Sequence, residues 1–363
     1  MPKMLTPLLS SLYDKNTKLP SNRDYYLEAI EEIEATSISS QVYQKLKEKG
    51  QLEKTPLFFQ VRLKQKYEET VFQNLFIKNQ TDKLLEECEK GKIEVIPLKG
   101  VYFSQEYFGH LGARGTSDID VLVKRESVEK TIKLVESLGY NQAERFIPGH
   151  FHCSFSKCIP GSSNPLTVEI HWNVVKTATS RFKIQELWED SREVPGRTYV
   201  KRLSNQYLFY MICLHGWRHN LDSPKYYLDI IQLIYKFGKQ LDIPQLFLDA
   251  RRHGTYKRLV RTLSIVYGEF PILENMMKLP TKQKKRGRVN RYWDFIDYQF
   301  LSYDSFLHSL KEVHQWLFPA KVDIYIELNL PEKNQCYLKS LYFLYKKRVS
   351  KFTKVVTLSL RGE

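Results

Sequence analysis

The apolar residues between Ile93 and about Val175 change their spacing several times, whereas the chain on either side keeps the spacing of helices. Within this stretch IEVIPL is a short apolar run, DIDVLV and LTVEIHWNVV alternate, and helical patterns between them end at Gly109 and Gly139. Period-two alternation predicts strands, and apolar residues three and four apart predict helices. Strands interleaved with helices over this length predict a small α/β or α+β unit.

The flanking regions both show helical spacing. Upstream the patterns are YYLEAIEEI, VYQKLKEKG and VFQNLFIKNQTDKLLEECEKG, and the last closes at Gly91. Downstream they are QYLFYMICLHGWRH, YYLDIIQLIYKFG and CYLKSLYFLYKKRVSKF. We therefore expect three parts, with a helical region over 1–91, the mixed unit over 92–200 and a helical domain over 201–363.

Composition limits the partners and the compartment. The 56 Lys and Arg residues against 41 Asp and Glu leave a formal charge of +15, which favours a polyanionic or phosphorylated partner. No apolar run approaches the ~20 residues of a membrane span, and the N-terminal segment does not resemble a signal peptide. Five cysteines in no disulfide-framework spacing predict a reducing compartment, so we expect a cytoplasmic protein with no membrane partner.

Two carboxylates in DIDVLV are the first chemical signal. Period-two geometry places Asp118 and Asp120 on one face of the predicted strand, with Ile119 and Val121 on the other. Two adjacent carboxylates repel each other unless a cation lies between them, and such hard oxygen ligands suit Mg²⁺. A lone DxD is common, however, and a turn cap beside a solvated acid is its ordinary explanation.

A second strand strengthens the metal interpretation. In TVEIHWN, Glu169 and His171 share one face, and Trp172 lies on the other. If this strand lies beside DIDVLV, Glu169 adds a third carboxylate, and three carboxylates around two metals suit phosphoryl or nucleotidyl transfer. His171 is either a histidine of a half-buried strand or a group that orients Glu169 or a phosphate.

The turn after IEVIPL is a candidate phosphate site. Lys99 and Gly100 end the predicted strand and lead directly into the helix VYFSQEYFG. Glycine lets the backbone approach a phosphate closely, and a helix N-terminus offers free N–H groups. A plain turn with an exposed lysine explains the same pair equally well.

Competing motifs are weak. No P-loop, dinucleotide-binding glycine motif or HEXXH occurs. His150, His152, Cys153 and Cys158 form a compact group, but no second pair at zinc-finger spacing accompanies them, and His215 with His219 lacks a third ligand. The basic segments 281–291 and 346–351 could contact a nucleic-acid backbone or be solvated.

Taken together, the spaced motifs carry a family resemblance. The LKG turn, an R-x-x-x-D-x-D strand and a V-[DE]-x-H-W strand lie between Leu98 and Trp172, and LHGWRHNLDSPKYYLDIIQLI, WLFPAK and YLKSLYFLYKKR extend the similarity downstream. The chain thereby resembles the uncharacterised nucleotidyltransferases of the DNA polymerase β-like superfamily. It departs from the superfamily's usual Gly-Ser phosphate turn, where this sequence has Lys-Gly, so a serine role on the phosphates does not carry over.

The resemblance implies an α+β fold, a small polymerase β-like mixed sheet with flanking helices and with helical N-terminal and C-terminal regions. Its implied metal ligands and catalytic residues are Asp118, Asp120 and Glu169, with two Mg²⁺ ions expected. Its implied nucleotide-binding residues are Lys99, Gly100, Arg114, Ser117, His171, His215, Lys225 and Asp229.

The implied activity is metal-dependent transfer of an NMP from an NTP, with ATP expected, to a small-molecule or peptide acceptor, releasing pyrophosphate. Two alternatives stay open. One is a toxin-like transferase directed at RNA or tRNA, which the basic charge favours. The other is a catalytically silent nucleotide-binding protein. The sequence identifies neither the acceptor nor the oligomeric state.

Overall fold

The computed structural model describes residues 4–143, 150–159, 164–280, 291–328 and 336–360. From residue 4 onward, four α-helices precede the first strand: α1 (Leu5–Ser11), α2 (Arg23–Ala35), α3 (Ser39–Glu48) and α4 (Leu57–Lys90). The predicted helical patterns of this region are confirmed. Helix α4 begins well before the apolar pattern that starts at Val71, and it ends immediately before Gly91 as predicted.

Among the described residues, the central part contains seven strands and three α-helices. In chain order these are β1 (Val95–Pro97), α5 (Val101–Phe108), β2 (Asp118–Val123), α6 (Val128–Ser137), β3 (Asn141–Gln142), β4 (His152–Lys157), β5 (Leu166–His171), α7 (Ile184–Glu189), β6 (Arg192–Val194) and β7 (Arg197–Arg202). They form one mixed sheet in the order β3-β4-β5-β2-β1-β7-β6. Strand β2 runs parallel to β5 and antiparallel to β1. This sheet with its flanking helices confirms the predicted α+β class.

The two faces of β2 and β5 differ as the alternation predicts. Ile119, Val121, Val168 and Ile170 pack in a core beneath α4 and α6. Strand β5 ends at His171, although the alternating pattern continues to Val175. The Asn173 side chain accepts a hydrogen bond from the Val174 N–H at 2.8 Å, which turns the backbone out of the strand.

The C-terminal part is helical. Its helices are α8 (Asn205–Arg218), α9 (Pro224–Phe237), α10 (Ile243–His253), α11 (Tyr256–Glu269), α12 (Arg291–Ile296), α13 (Phe306–Leu317), α14 (Lys321–Leu328) and α15 (Tyr337–Leu360), and a π-helical turn over Asp297–Leu301 follows α12. One hydrophobic core joins Leu9 and Ile30 of the N-terminal helices to Phe108 of α5, Phe209 of α8 and Ile231 of α9. The unit that carries the sheet is thus packed against helices from both ends of the chain.

Some features fall outside the sequence predictions. Strands β3, β4, β6 and β7 were not predicted. Strands β3 and β6 span only two and three residues, β4 (HCSFSK) carries no β-branched residue, and three of the six residues of β7 (RTYVKR) are charged. The basic segment 281–291 lies almost entirely outside the described residues. Among the helices that are described, none combines the length and the apolar character needed to cross a membrane.

Candidate active site

Three carboxylates meet on the face of β2 and β5 opposite the core beneath α4 and α6. The parallel register of the two strands sets Asp120 opposite Glu169, and Asp118 opposite Thr167. Residues opposite each other on neighbouring strands project to the same face. The sequence predicted a third carboxylate at the site only if these two strands were neighbours. The structure pairs them, and Glu169 lies beside the DxD pair.

His171 joins the two central carboxylates. Its Nε2 lies 3.2 Å from Asp120 Oδ1 and 3.1 Å from Glu169 Oε2. Burial alone would lower the pKa of His171, but its hydrogen bonds to Asp120 and Glu169 raise that pKa above its usual value. The imidazole is therefore biased toward its charged form, which neutralises part of the acidic cluster.

The same contacts hold the carboxylates in their ionised form. Burial would raise the pKa of Glu169, but the His171 hydrogen bond and charge, with the charge of Lys99, outweigh it and lower the pKa to about 2. Burial likewise opposes ionisation of Asp120, yet Lys99 and then His171 hold its pKa below the ordinary value. Both groups are carboxylates at neutral pH.

Lys99 lies between the two acids of the DxD strand. Its ammonium is 2.8 Å from Asp120 Oδ2 and 3.4 Å from Asp118 Oδ2. The Asp120 side chain is 0% exposed, whereas 29% of the Asp118 side chain is exposed, so the cluster opens toward solvent on the Asp118 side.

The turn after Lys99 is built around a glycine. Gly100 has φ +88° and ψ −143°, a conformation that residues with a Cβ rarely adopt, and it immediately precedes α5. A Cβ added to it would lie 3.6 Å from the Asp118 carbonyl oxygen. The N-terminus of α5 therefore lies next to the start of the carboxylate strand.

Arg114 and Asp229 form a buried pair. The Arg114 Nε and Nη2 donate to the two Asp229 carboxylate oxygens, both at 2.7 Å, and both residues are almost inaccessible to solvent. This pair connects the loop before β2 to α9. Ser117 follows in the same loop and is exposed. A direct role for these three residues in nucleotide binding stays a prediction, and the pair as it stands joins the sheet to the C-terminal helices.

Helices α8 and α9 contribute a second group of polar side chains. Lys225 makes no ion pair with a described residue; burial, followed by the charge of Arg114, lowers its pKa to about 8. Burial, with the charge of Lys99, lowers the pKa of His215 well below its usual value, so this imidazole is neutral. His219 stacks on Tyr226 with ring centroids 4.8 Å apart. Lys225 thus remains a cation free to meet an anion.

The donor set fits a divalent cation. One ligand atom from each of Asp120, Glu169 and His171 lies within 4.8 Å of the others, and among the described residues no other His, Cys, Asp or Glu side chains group in threes this closely. His171 would serve as a ligand only after its imidazole loses its proton, whereas the two carboxylates are already ionised. Asp120 Oδ2 is a buried carboxylate oxygen, a hard donor that suits Mg²⁺, and its close partner is the Lys99 ammonium at 2.8 Å. Asp118 lies outside this closest set and is joined to it through Lys99.

Two supporting residues were missed from the sequence. Asn74 of α4 is fully buried; its amide donates to the Leu111 and Arg114 carbonyls at 2.6 and 2.8 Å and accepts from the Thr116 N–H at 3.2 Å. Its only sequence signal is an amide on the apolar face of a helix. His152 was considered only for zinc, and the structure stacks it on the His171 ring at 5.0 Å.

The zinc interpretation gains no support. Cys153 packs in the core on the opposite side of the sheet from the carboxylates, and Cys158 is exposed. Burial, followed by the charge of His171, lowers the pKa of His152 to about 4, so this ring is neutral beside the charged His171.

We expect Arg114→Met to lower the free energy of unfolding by about 3–5 kcal/mol, because it leaves the Asp229 carboxylate buried without its partner. Adding Asp229→Leu should restore most of the loss. The control is Arg202→Met, which removes an exposed pair with Glu106 and should cost no more than about 1 kcal/mol. Urea denaturation measures all three. Equal losses for Arg114→Met and Arg202→Met would contradict the assignment of the buried pair as a structural junction.

Comparison with known proteins identifies the family of the chain. The family described as "Uncharacterised nucleotidyltransferase" matches residues 27–267, a range that holds β1 to β7, every carboxylate of the cluster and helices α8 and α9. No curated protein and no solved structure gave a match. The matched range covers well over half of the chain and contains the motifs from which the resemblance was drawn. The chain therefore belongs to the family of uncharacterised nucleotidyltransferases.

Proposed function

We propose that this protein transfers the NMP group of an NTP, ATP in the first instance, to a small-molecule or peptide acceptor and releases pyrophosphate. The observation that carries the proposal is the parallel pairing of β2 and β5, which sets Asp120 against Glu169 with His171 between them. Nothing in the packing of the sheet requires these acids together on one face. Such a cluster beside a lysine and a helix N-terminus suits phosphate chemistry.

Asp118, Asp120 and Glu169 are the proposed ligands of Mg²⁺, with His171 holding two of them in place. When bound, Mg²⁺ lowers the pKa of an attacking hydroxyl and neutralises charge on phosphate oxygens. The pKa of about 2 makes Glu169 a weak proton acceptor at neutral pH, because an efficient general base has a pKa near the working pH. Glu169 is therefore better suited to bind a cation than to remove the acceptor's proton.

The phosphate groups of the nucleotide have two sources of positive charge. Lys99 and the Gly100 turn supply one, since the turn places the N-terminus of α5 beside Asp118. Lys225 of α9 supplies the other, and it makes no ion pair with any described side chain. A triphosphate lying between the sheet and α9 would meet both lysines.

An RNA acceptor is the second candidate, and the formal charge of +15 favours it. Binding to RNA releases counterions, so the affinity of an RNA-directed enzyme should fall steeply as salt increases. If the acceptor is a small molecule or a peptide, the rate of transfer should depend little on the salt concentration. The intact carboxylate cluster argues against a catalytically silent protein, because nothing in the packing of the sheet requires all three acids.

Incubation with each α-labelled NTP, Mg²⁺ and cell extract separated into RNA, protein and small-molecule fractions should label one fraction. Asp120→Asn and Glu169→Gln should each lower labelling by more than about 100-fold, since even residues that only orient metal ligands are worth roughly 10–100-fold. The control is Glu129→Gln, which changes an exposed acid on α6. Circular dichroism checks that each variant folds. Full labelling by folded Asp120→Asn would refute the site.

Nucleotide affinity should weaken as the pH rises above about 8. The pKa of Lys225 is depressed, so its ammonium deprotonates near pH 8 in the free protein and its attraction for phosphate is then lost. Between pH 7 and pH 9.5 we expect the Kd of a non-hydrolysable ATP analogue to rise about 10-fold or more. Calorimetric titration measures it.

Lys225→Arg provides the matched comparison, because a guanidinium keeps its charge throughout this pH range. Its Kd should change much less over the same interval. Parallel pH profiles for the wild type and Lys225→Arg would exclude Lys225 as the group responsible.

A further inference from the structure

The ammonium of Lys99 lies where two of the proposed metal ligands point. It is 2.8 Å from Asp120 Oδ2 and 3.4 Å from Asp118 Oδ2, and only 14% of the Lys99 side chain is exposed. Asp120 is fully buried, so its negative charge requires a nearby cation in the absence of metal. Lys99 and His171 supply that charge from opposite sides of the carboxylate.

We propose that Lys99 is a resident counter-cation, which a divalent ion displaces from Asp120 and which then pairs with the phosphates of the incoming nucleotide. Metal and nucleotide binding are thereby coupled. The metal ion releases the Lys99 ammonium to pair with the phosphates, and the phosphates replace the partner that Lys99 loses. This inference rests on the proposed function, since it concerns the same site.

The first step of the argument is spatial. A divalent ion of this class binds carboxylate oxygens at about 2.0–2.1 Å, whereas the ammonium already lies 2.8 Å from the same oxygen of Asp120. Both cations on one buried oxygen would be held within a few ångströms of each other, in surroundings that screen their repulsion poorly. The ion and the ammonium therefore compete for Asp120.

The second step concerns where Lys99 can go. Its side chain is a flexible four-carbon stem, and the cluster opens to solvent on the Asp118 side. The residue after it, Gly100, immediately precedes α5, whose N-terminal N–H groups favour an anion. A phosphate at this turn would give the displaced ammonium a new partner within reach of its own backbone.

The third step is thermodynamic. Without nucleotide, a metal ion must separate Lys99 from Asp120 and leave the ammonium with no strong partner, so metal affinity is reduced. With nucleotide present that cost falls. Coupling between two binding sites is reciprocal, and it commonly changes affinities by 5–150-fold.

The test is Mn²⁺ binding, followed by electron paramagnetic resonance, with and without α,β-methylene-ATP, after correcting for the Mn²⁺ that the analogue itself binds. The wild type should bind Mn²⁺ weakly alone and about 10-fold or more tightly with the analogue. Lys99→Met should bind Mn²⁺ alone about 10-fold more tightly than the wild type and gain little from the analogue. Its melting temperature should fall without Mn²⁺ and recover with it.

Lys133→Met is the matched control. Lys133 is an exposed residue of α6, which packs on the face of the sheet opposite the carboxylates, so the variant should leave both the affinity for Mn²⁺ alone and the effect of the analogue unchanged. Wild-type Mn²⁺ affinity that is independent of the analogue would overturn the coupling, even if Lys99→Met does not fold. Unchanged or weaker Mn²⁺ binding by folded Lys99→Met would overturn the displacement.

Failure of the metal site on which the proposed function depends would look different. In that case the wild type would bind no Mn²⁺ at all, with or without the analogue, and Asp120→Asn would behave like the wild type. If Asp120→Asn abolishes Mn²⁺ binding but Lys99→Met does not change it, only the inference about Lys99 is refuted.

Discussion

The buried charge of Asp120 is the constraint on which the site depends. A carboxylate with no solvent contact in the middle of a sheet is costly unless cations and hydrogen bonds compensate it. Lys99 supplies compensation from the turn before α5, and His171 supplies it from β5. Each partner in turn fixes an element, since Lys99 needs the Gly100 turn and His171 needs β5 beside β2 in its observed register. One buried charge thus accounts for much of the local architecture.

A second buried pair connects this sheet to the rest of the chain. Arg114 and Asp229 are 115 residues apart, and their bidentate contact joins the loop before β2 to α9. The same loop is held from the other side by Asn74 of α4. Helices α8 and α9, which carry His215 and Lys225, are therefore positioned by charge pairing as well as by the shared hydrophobic core. A site held in this way can keep the geometry of its polar groups while they exchange partners.

The sequence predicted the structural features that depend on residues close together in the chain. Strand β2 and the faces of β5 followed from period-two alternation, and the helix ends at Gly91 and Gly109 followed from the glycines. Gly109 has the left-handed φ of +82° typical of such ends, whereas after α4 the positive φ falls on Lys92. Strand β4 was missed because HCSFSK carries few strand-forming residues. The parallel register of β2 and β5, the pairing of Arg114 with Asp229 and the anchoring by Asn74 all join distant residues, so hydrophobic periodicity holds no information on them. The site residues were named from spaced motifs, but their mutual contacts required the three-dimensional structure.

The most direct test of this account is the position of the metal. Crystals grown with Mn²⁺ and α,β-methylene-ATP, measured at the manganese absorption edge, would locate the ion by its anomalous signal. We predict a peak about 2 Å from carboxylate oxygens of both Asp120 and Glu169, beside the phosphates of the analogue. A manganese peak away from these carboxylates, with Asp120 still paired to Lys99, would contradict the account.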